Sequence, residues 1–337
     1  MTASVTRKRI LVWTGGDAGP LCETLGRLED IRVEEAASRA AALAAMNTAD
    51  GLITSTILWD GELASALRKS PRLSWLQLLN AGFDNVERLG VPERVVVSTV
   101  GEIGARVVAE HAMGLLLALA RGLPAALDGQ RREAWDSAAV ARAARTLDGC
   151  SVGIVGFGHI GRAVASLARS FGAAVVVFAR TPRTVRAAQD EIEVRSLEAF
   201  RATLGSLDAL MICAPLNAGT DGLVDTAAFA AMKRGAWLVN VSRGAIVDTD
   251  ALVAALRGGV LAGAALDVVE PEPLPKSHPL WSLPNVLITP HTAWAGSRAL
   301  QARRLQDLIV ENTGRFARGE AVLNVARLER GRLPPSD

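Results

Sequence analysis

The chain has 337 residues, half of them hydrophobic, which is enough for two ordinary domains with a sizeable core. Its 37 basic and 35 acidic residues leave a net charge of +2 with no concentrated basic run, so no nucleic-acid partner is expected. The three cysteines, Cys22, Cys150 and Cys213, are widely spaced and form no Cys-x-x-Cys pair, which argues against a disulfide framework and against a cysteine-built metal site.

The basic N-terminus is followed by an apolar run, residues 10–13, too short for a signal peptide, and the longest apolar stretch, 112–120, falls well short of a membrane span. A cytoplasmic protein with no metal and no membrane partner is the expectation. The pattern then predicts strands at 9–13, 31–35, 51–55, 75–79 and 95–99, with helices at 20–28, 38–46 and 61–69 between them. This alternation is that of an α/β layout with parallel strands. A turn, Asn80-Ala81-Gly82-Phe83-Asp84-Asn85, follows the fourth strand. A long helix is expected over 103–121, stopped by Gly122 and Pro124, and the Ala- and Arg-rich segment 124–147 reads as an arm or a helix pair.

An apolar run at 151–155 passes directly into Gly156-Phe157-Gly158-His159-Ile160-Gly161, and helical periodicity continues from Arg162 to Phe171. Strand, Gly-x-Gly-x-x-Gly turn and helix in this order form a dinucleotide-binding fingerprint. Gly156 permits the tight turn, Gly158 lets the backbone approach a pyrophosphate and Gly161 lets the helix pack on the strand, with the phosphates on amides at the helix N-terminus. The next strand, 174–178, ends in Ala179-Arg180-Thr181-Pro182-Arg183, where an NAD-preferring unit carries an acidic residue. Two guanidiniums and a hydroxyl there suit a 2′-phosphate, so NADPH is expected over NADH, with NAD use still open. The alternative is that Arg180 and Arg183 merely solvate a loop.

Further strand and helix segments at 209–213, 228–233, 237–241, 250–257, 263–268 and 286–289 continue the cofactor-binding unit, and a last long helix covers 297–318. Returning that helix to the first domain predicts two Rossmann-like, doubly wound parallel-sheet domains separated by a cleft. Residues 1–102 with 293–337 would form a discontinuous substrate-binding domain and 103–292 the NAD(P)-binding domain, with the two long helices as hinge.

Several segments in order carry a resemblance. They are the fingerprint, Ala109-Glu110-His111, Val239-Asn240-Val241-Ser242-Arg243-Gly244-Ala245-Ile246-Val247-Asp248, Ala265-Leu266-Asp267-Val268-Val269-Glu270-Pro271-Glu272-Pro273 and Thr289-Pro290-His291. The chain resembles the D-isomer-specific 2-hydroxyacid dehydrogenases over most of its length. The resemblance implies reversible hydride transfer between a nicotinamide and a 2-oxo acid, with Arg243, Glu272 and His291 as the catalytic set. His291 would be the proton donor, Glu272 its partner, and Arg243 the fork for the substrate carboxylate and carbonyl. Glu270 competes with Glu272 for the partner role, and only family spacing favours Glu272.

By the same resemblance Asp267 lies near the nicotinamide carboxamide, while Cys213, Ala214, Pro215 and Val241 line the cofactor pocket. The amides of Ala81, Gly82 and Phe83, together with Arg243 and His291, would take the substrate. Ala293-Trp294-Ala295 looks like the glycerate dehydrogenase and hydroxypyruvate reductase branch, which favours hydroxypyruvate or glyoxylate and the D-2-hydroxy acid as product. A different 2-hydroxy acid, phosphite, or a nucleotide-dependent corepressor-like module are the competing readings. A homodimer built around the long helix and the 124–147 arm is implied, with Trp135 reaching a partner or packing at the interface. His111 reads as structural, and His159 and His278 as loop residues.

Overall fold

In β1 (Lys8–Trp13), Ile10 and Val12 join one apolar cluster while Leu11 and Trp13 join another, the two-sided burial of a central strand in a parallel sheet. The structure is a computed structural model that describes residues 7–187, 190–295 and 299–328. The chain divides into two units, Met1–Gly104 with Ser297–Asp337, and Ala105–Gly296.

The first unit continues through α1 (Gly19–Leu25), β2 (Ile31–Glu35), α2 (Arg39–Ala45), β3 (Gly51–Thr54), α3 (Gly61–Lys69), β4 (Trp75–Leu78), α4 (Asp84–Leu89) and β5 (Val96–Ser98). Its strands are all parallel, in the order β2-β1-β3-β4-β5. Side chains start the helices where the sequence supplies them: Ser38 caps α2, and Asp60 accepts from the amides of Glu62 and Leu63 at the head of α3.

The second unit runs α5 (Ala105–Ala120), α6 (Leu123–Arg131), α7 (Ser137–Ala143), β6 (Ser151–Val155), α8 (His159–Ser170), β7 (Ala174–Phe178), β8 (Arg183–Ala187), β9 (Asp190–Arg195), α9 (Phe200–Thr203), β10 (Ala209–Ile212), α10 (Thr226–Ala231), β11 (Ala236–Asn240), α11 (Thr249–Arg257), β12 (Leu261–Leu266) and β13 (Val286–Ile288). Across the sheet the order is β13-β12-β11-β10-β6-β7-β9-β8, parallel throughout except for the antiparallel edge strand β8. Strand order reverses between β6 and β10, and in such doubly wound sheets the crevice beyond the strand ends at that reversal is the ligand site. The last helix, α12 (Ala299–Ala317), belongs to the first unit and stacks Phe316 on Trp75 with ring centroids 5.0 Å apart.

Two local readings are resolved. Of the two options for 124–147, arm or helix pair, the structure forms the helix pair, and the stretch after β7, for which no strand was predicted, continues into the hairpin β8–β9, with Arg183 as its first residue. Charged residues interrupt its short β-branched pattern, so the sequence alone did not separate it from a loop; pairing of β9 with β7 supplies what the pattern lacks. Among the described residues no single helix is long and apolar enough to cross a membrane.

Candidate active site

β6 leads into Gly156 at φ +97°, and a Cβ there would stand 2.6 Å from Ala214 N and Cα. A Cβ on Gly161 would lie 2.0 Å from the Gly156 carbonyl oxygen, so α8 can approach the strand this closely only with glycine at both points. At Gly158, by contrast, a Cβ would meet nothing within 4 Å. This open position precedes a twelve-residue helix, beginning His159-Ile160-Gly161, that has no side-chain cap. An open backbone face at an uncapped helix N-terminus fits a pyrophosphate, whose charge the helix dipole favours.

The rest of the expected cofactor pocket surrounds this turn. Phe157 is buried, with the guanidiniums of Arg162 and Arg183 at 5.4 and 5.7 Å from its ring centroid, so β8 delivers Arg183 beside the Gly156–Gly161 turn. Arg180 and Thr181 are exposed, and no carboxylate stands between Ala179 and Ala187. Cys213 and Ala214 are buried at the end of β10 and Pro215 is exposed. Burial pushes the Cys213 thiol up to about 12, making it a neutral wall. Val241 is buried beyond β11, and the neighbouring Ser242 hydroxyl donates to the Ala214 carbonyl, joining the two loops.

Beyond β11, β12 and β13 the structure brings Arg243, Glu272 and His291 together. His291 Nδ1 lies 2.9 Å from Glu272 Oε2, and Glu272 Oε1 accepts from the Val269 amide at 3.1 Å. Geometry therefore decides between the two glutamates, because Glu272 is the one that meets the imidazole. The Glu272 hydrogen bond raises the His291 pKa above the ordinary imidazole value; burial and the Arg243 charge oppose this, and the charges of Glu272 and Asp267 add to it. Burial pushes Glu272 up, but its hydrogen bonds with His291 and Val269 and the charges of His291 and Arg243 outweigh that and hold it below the usual carboxylate range. The result is an imidazole biased toward its protonated form, with a side chain 54% exposed and so open to a reactant.

Arg243 owes its place to two neighbours that the sequence reading quoted without assigning. Asn240 is 1% exposed; its Nδ2 donates to the Arg243 carbonyl at 2.9 Å and its Oδ1 accepts from the Ser242 amide at 3.1 Å, which shapes the turn. A Cβ on Gly244 would lie 2.1 Å from the Val269 carbonyl, so the loop after β11 presses directly on the backbone that leads from β12 to Glu272. Asp267, expected near a carboxamide, has a side chain 1% exposed and already holds the Thr289 hydroxyl and the amides of Thr292 and Ala293. His111 and Thr289 complete this group, 3.0 Å apart and separated by 178 positions in the chain. His278 caps a short turn, and His159 is the first residue of α8 rather than a loop residue.

The turn at Ala81, Gly82 and Phe83 stands on the first unit, between β4 and α4. Asn80 Oδ1 accepts from the Ser55 hydroxyl at 2.7 Å and the Thr56 amide at 2.9 Å, tying this turn to the loop after β3. Among the described residues the amides of Ala81, Gly82 and Phe83 donate to no protein acceptor, which leaves three N–H groups available to an anion.

Residues 113–293 match the family described as D-isomer specific 2-hydroxyacid dehydrogenase, NAD binding domain. The chain is 36% identical over 287 residues to the glyoxylate reductase of Aeropyrum pernix, covering 81% of this chain and 82% of that protein. Among solved structures it is similar to the D-isomer specific 2-hydroxyacid dehydrogenase of Xanthobacter autotrophicus in complex with NADPH and MES, with a TM-score of 0.78, 29% identity and coverage of 95% and 98% of the two chains. It is also similar to an NADPH-dependent glyoxylate/hydroxypyruvate reductase of Sinorhizobium meliloti in complex with NADP and sulfate, with a TM-score of 0.78, 25% identity and the same coverages.

Proposed function

Since the chain belongs to the D-isomer-specific 2-hydroxyacid dehydrogenase family of NAD(P)-dependent oxidoreductases, we propose that it reduces a small 2-oxo acid, glyoxylate or hydroxypyruvate, with NADPH to the D-2-hydroxy acid. The observation that carries this reading is the 2.9 Å contact of Glu272 with a protonation-biased His291 in the field of Arg243.

A bound nicotinamide would supply the hydride for the carbonyl carbon; the remaining roles fall to this chain's own residues. His291, holding its Nδ1 proton against Glu272, delivers the Nε2 proton to the carbonyl oxygen as negative charge develops there. Arg243 binds the substrate carboxylate and polarises the carbonyl, and the amides of Ala81, Gly82 and Phe83 are the first unit's own groups for a carboxylate. Gly156, Phe157, Gly158, His159, Ile160 and Gly161 receive the pyrophosphate. Arg180, Thr181 and Arg183 receive the 2′-phosphate, while Cys213, Ala214, Pro215 and Val241 wall the pocket and Asp267 supports its nicotinamide end. The two glycerate-branch substrates are small, in keeping with the relatives' names. A homodimer belongs to the same reading, because Trp135 is 99% exposed beside α6 and α7 and Leu123 and Leu127 are also exposed on that pair.

Initial rates of NADPH and NADH oxidation against glyoxylate, hydroxypyruvate, pyruvate, phenylpyruvate and oxaloacetate test the proposal. We expect fast turnover of glyoxylate or hydroxypyruvate, with kcat/KM at least about tenfold higher for NADPH, and loss of that preference in the double variant Arg180→Ala, Arg183→Ala. Equal use of both nucleotides by the unaltered protein overturns the cofactor assignment. Turnover of none of the acids overturns the substrate class.

A further inference from the structure

We propose that His111 is a positioning residue for the proton donor: from the rigid helix α5 it holds, through Thr289 and Asp267, the turn that presents His291. This rests on the reading of His291 as the acid.

His291 sits at φ +52°, a left-handed conformation that costs a non-glycine residue free energy and persists only where its surroundings impose it. Asp267 imposes it twice. Its carbonyl accepts the His291 amide at 2.8 Å, and its carboxylate accepts the next two amides, Thr292 on Oδ1 at 2.9 Å and Ala293 on Oδ2 at 3.0 Å. The turn is therefore only as well placed as the Asp267 carboxylate.

That carboxylate is in turn oriented from α5. Oδ1 lies 2.6 Å from Thr289 Oγ1, which lies 3.0 Å from His111 Nε2, and Nε2 is also 3.4 Å from Oδ1. Both carboxylate oxygens accept from amides, so the single Thr289 hydroxyl proton points at Asp267. The hydroxyl oxygen is then an acceptor toward His111, and His111 Nε2 must carry a proton. The chain of donors runs one way, from His111 Nε2–H to Thr289 Oγ1–H to Asp267 Oδ1, and closes on the backbone amides beside His291.

His111 is well placed as the fixed end. α5 buries Ala109, Ala112, Met113 and Leu116 in the same apolar cluster as Val164 and Ala165 of α8 and Val239 of β11, so its position does not depend on the His291 loop. Without the imidazole, Thr289 loses its donor, the Asp267 carboxylate loses a restraint, and the contact of His291 Nδ1 with Glu272 slips from its productive geometry. The variants below leave Asp267 itself in place, and the side-chain hydrogen bonds of His111 and Thr289 run to each other and to Asp267 rather than to the Gly156–Gly161 turn, so nucleotide affinity has no reason to follow kcat.

The experiment compares His111→Leu, His111→Gln and Thr289→Val with the full-length protein. It measures kcat and KM with glyoxylate, or whichever acid of the panel turns over, NADPH affinity by fluorescence, and His291→Gln alongside. We expect His111→Leu and Thr289→Val each to lower kcat at least about tenfold, with the acid KM and NADPH affinity within about twofold of the parent, and His111→Gln, which restores an N–H at the Nε2 position, to recover to within about threefold. Parental kcat in His111→Leu overturns the inference, and so does a Gln variant as impaired as the Leu variant or a fall in kcat matched by the same fall in NADPH affinity. Full turnover in His291→Gln overturns the acid assignment and this inference with it. A silent His291→Gln beside a fully active His111→Leu removes only the role of His111.

Discussion

After β4 of the first unit, the turn Ala81-Gly82-Phe83 offers main-chain amides, whereas the loops after β11, β12 and β13 of the second offer Arg243, Glu272 and His291. Both lie at the carboxyl ends of strands in parallel sheets. They are supported differently. The first unit puts its polar network in the core: Gln77 Oε1 accepts from the Ser98 hydroxyl at 2.7 Å and from Asn312 Nδ2 at 2.8 Å, while Trp75 Nε1 donates to Ser98, all of them fully buried. This network fastens α12 to β4 and β5 and carries no ionisable group. In the second unit the supporting network runs from buried Asp267 outward to a half-exposed imidazole, the group proposed above as the proton donor. The difference is physical: one polar cluster ends in a titratable group open to solvent, where a proton can be exchanged, and the other closes on itself in the core, where it can only hold elements together.

The largest expected effect falls in the second unit. His291→Gln keeps the size of the side chain but removes the transferable proton, and kcat for reduction should fall by roughly 10²–10⁴-fold with little change in melting temperature. Steady-state rates beside thermal melts check both halves; a large loss of stability would show that the site, like the first unit's network, is a structural cluster.

Gln77→Leu should do the reverse. It strands the Ser98 hydroxyl and Asn312 amide in the core and should cost about 1–3 kcal/mol in urea unfolding while leaving kcat close to parental. A specific fall in kcat without loss of stability would break the contrast from the other side.

The smallest effect is a displacement along the pH axis. Because Glu272 raises the His291 pKa, the imidazolium needed for reduction is full below the ordinary imidazole pKa and is lost only as pH rises through the raised one. Glu272→Gln should move the alkaline fall of kcat to lower pH, with the acid-side rate least affected. For oxidation, which needs neutral imidazole, the rise should move the same way. An unmoved profile would mean that another group titrates in the measured limb.

Legibility followed distance along the chain. The Gly156–Gly161 turn was readable because its glycines answer local demands, a positive φ at Gly156 and a backbone approach at Gly161 that no side chain permits. The alternation of strands and helices was readable for the same reason, as periodicity is set by residues a few positions apart. The β8–β9 hairpin was not, because a short charged strand becomes one only when β7 offers an edge. His111 looked like a passive residue on an apolar helix, and no local pattern could connect it to Thr289.

By itself, then, the sequence determined the α/β class, the dinucleotide turn and the absence of a carboxylate after β7, because each depends on neighbours in the chain and on backbone sterics. Only the tertiary structure decided that Glu272 rather than Glu270 meets His291, that Gly244 must press against Val269, and that His111 joins Asp267. Those are hydrogen bonds and contacts between strand ends and a helix far apart in sequence, and their geometry exists only once the sheet has assembled.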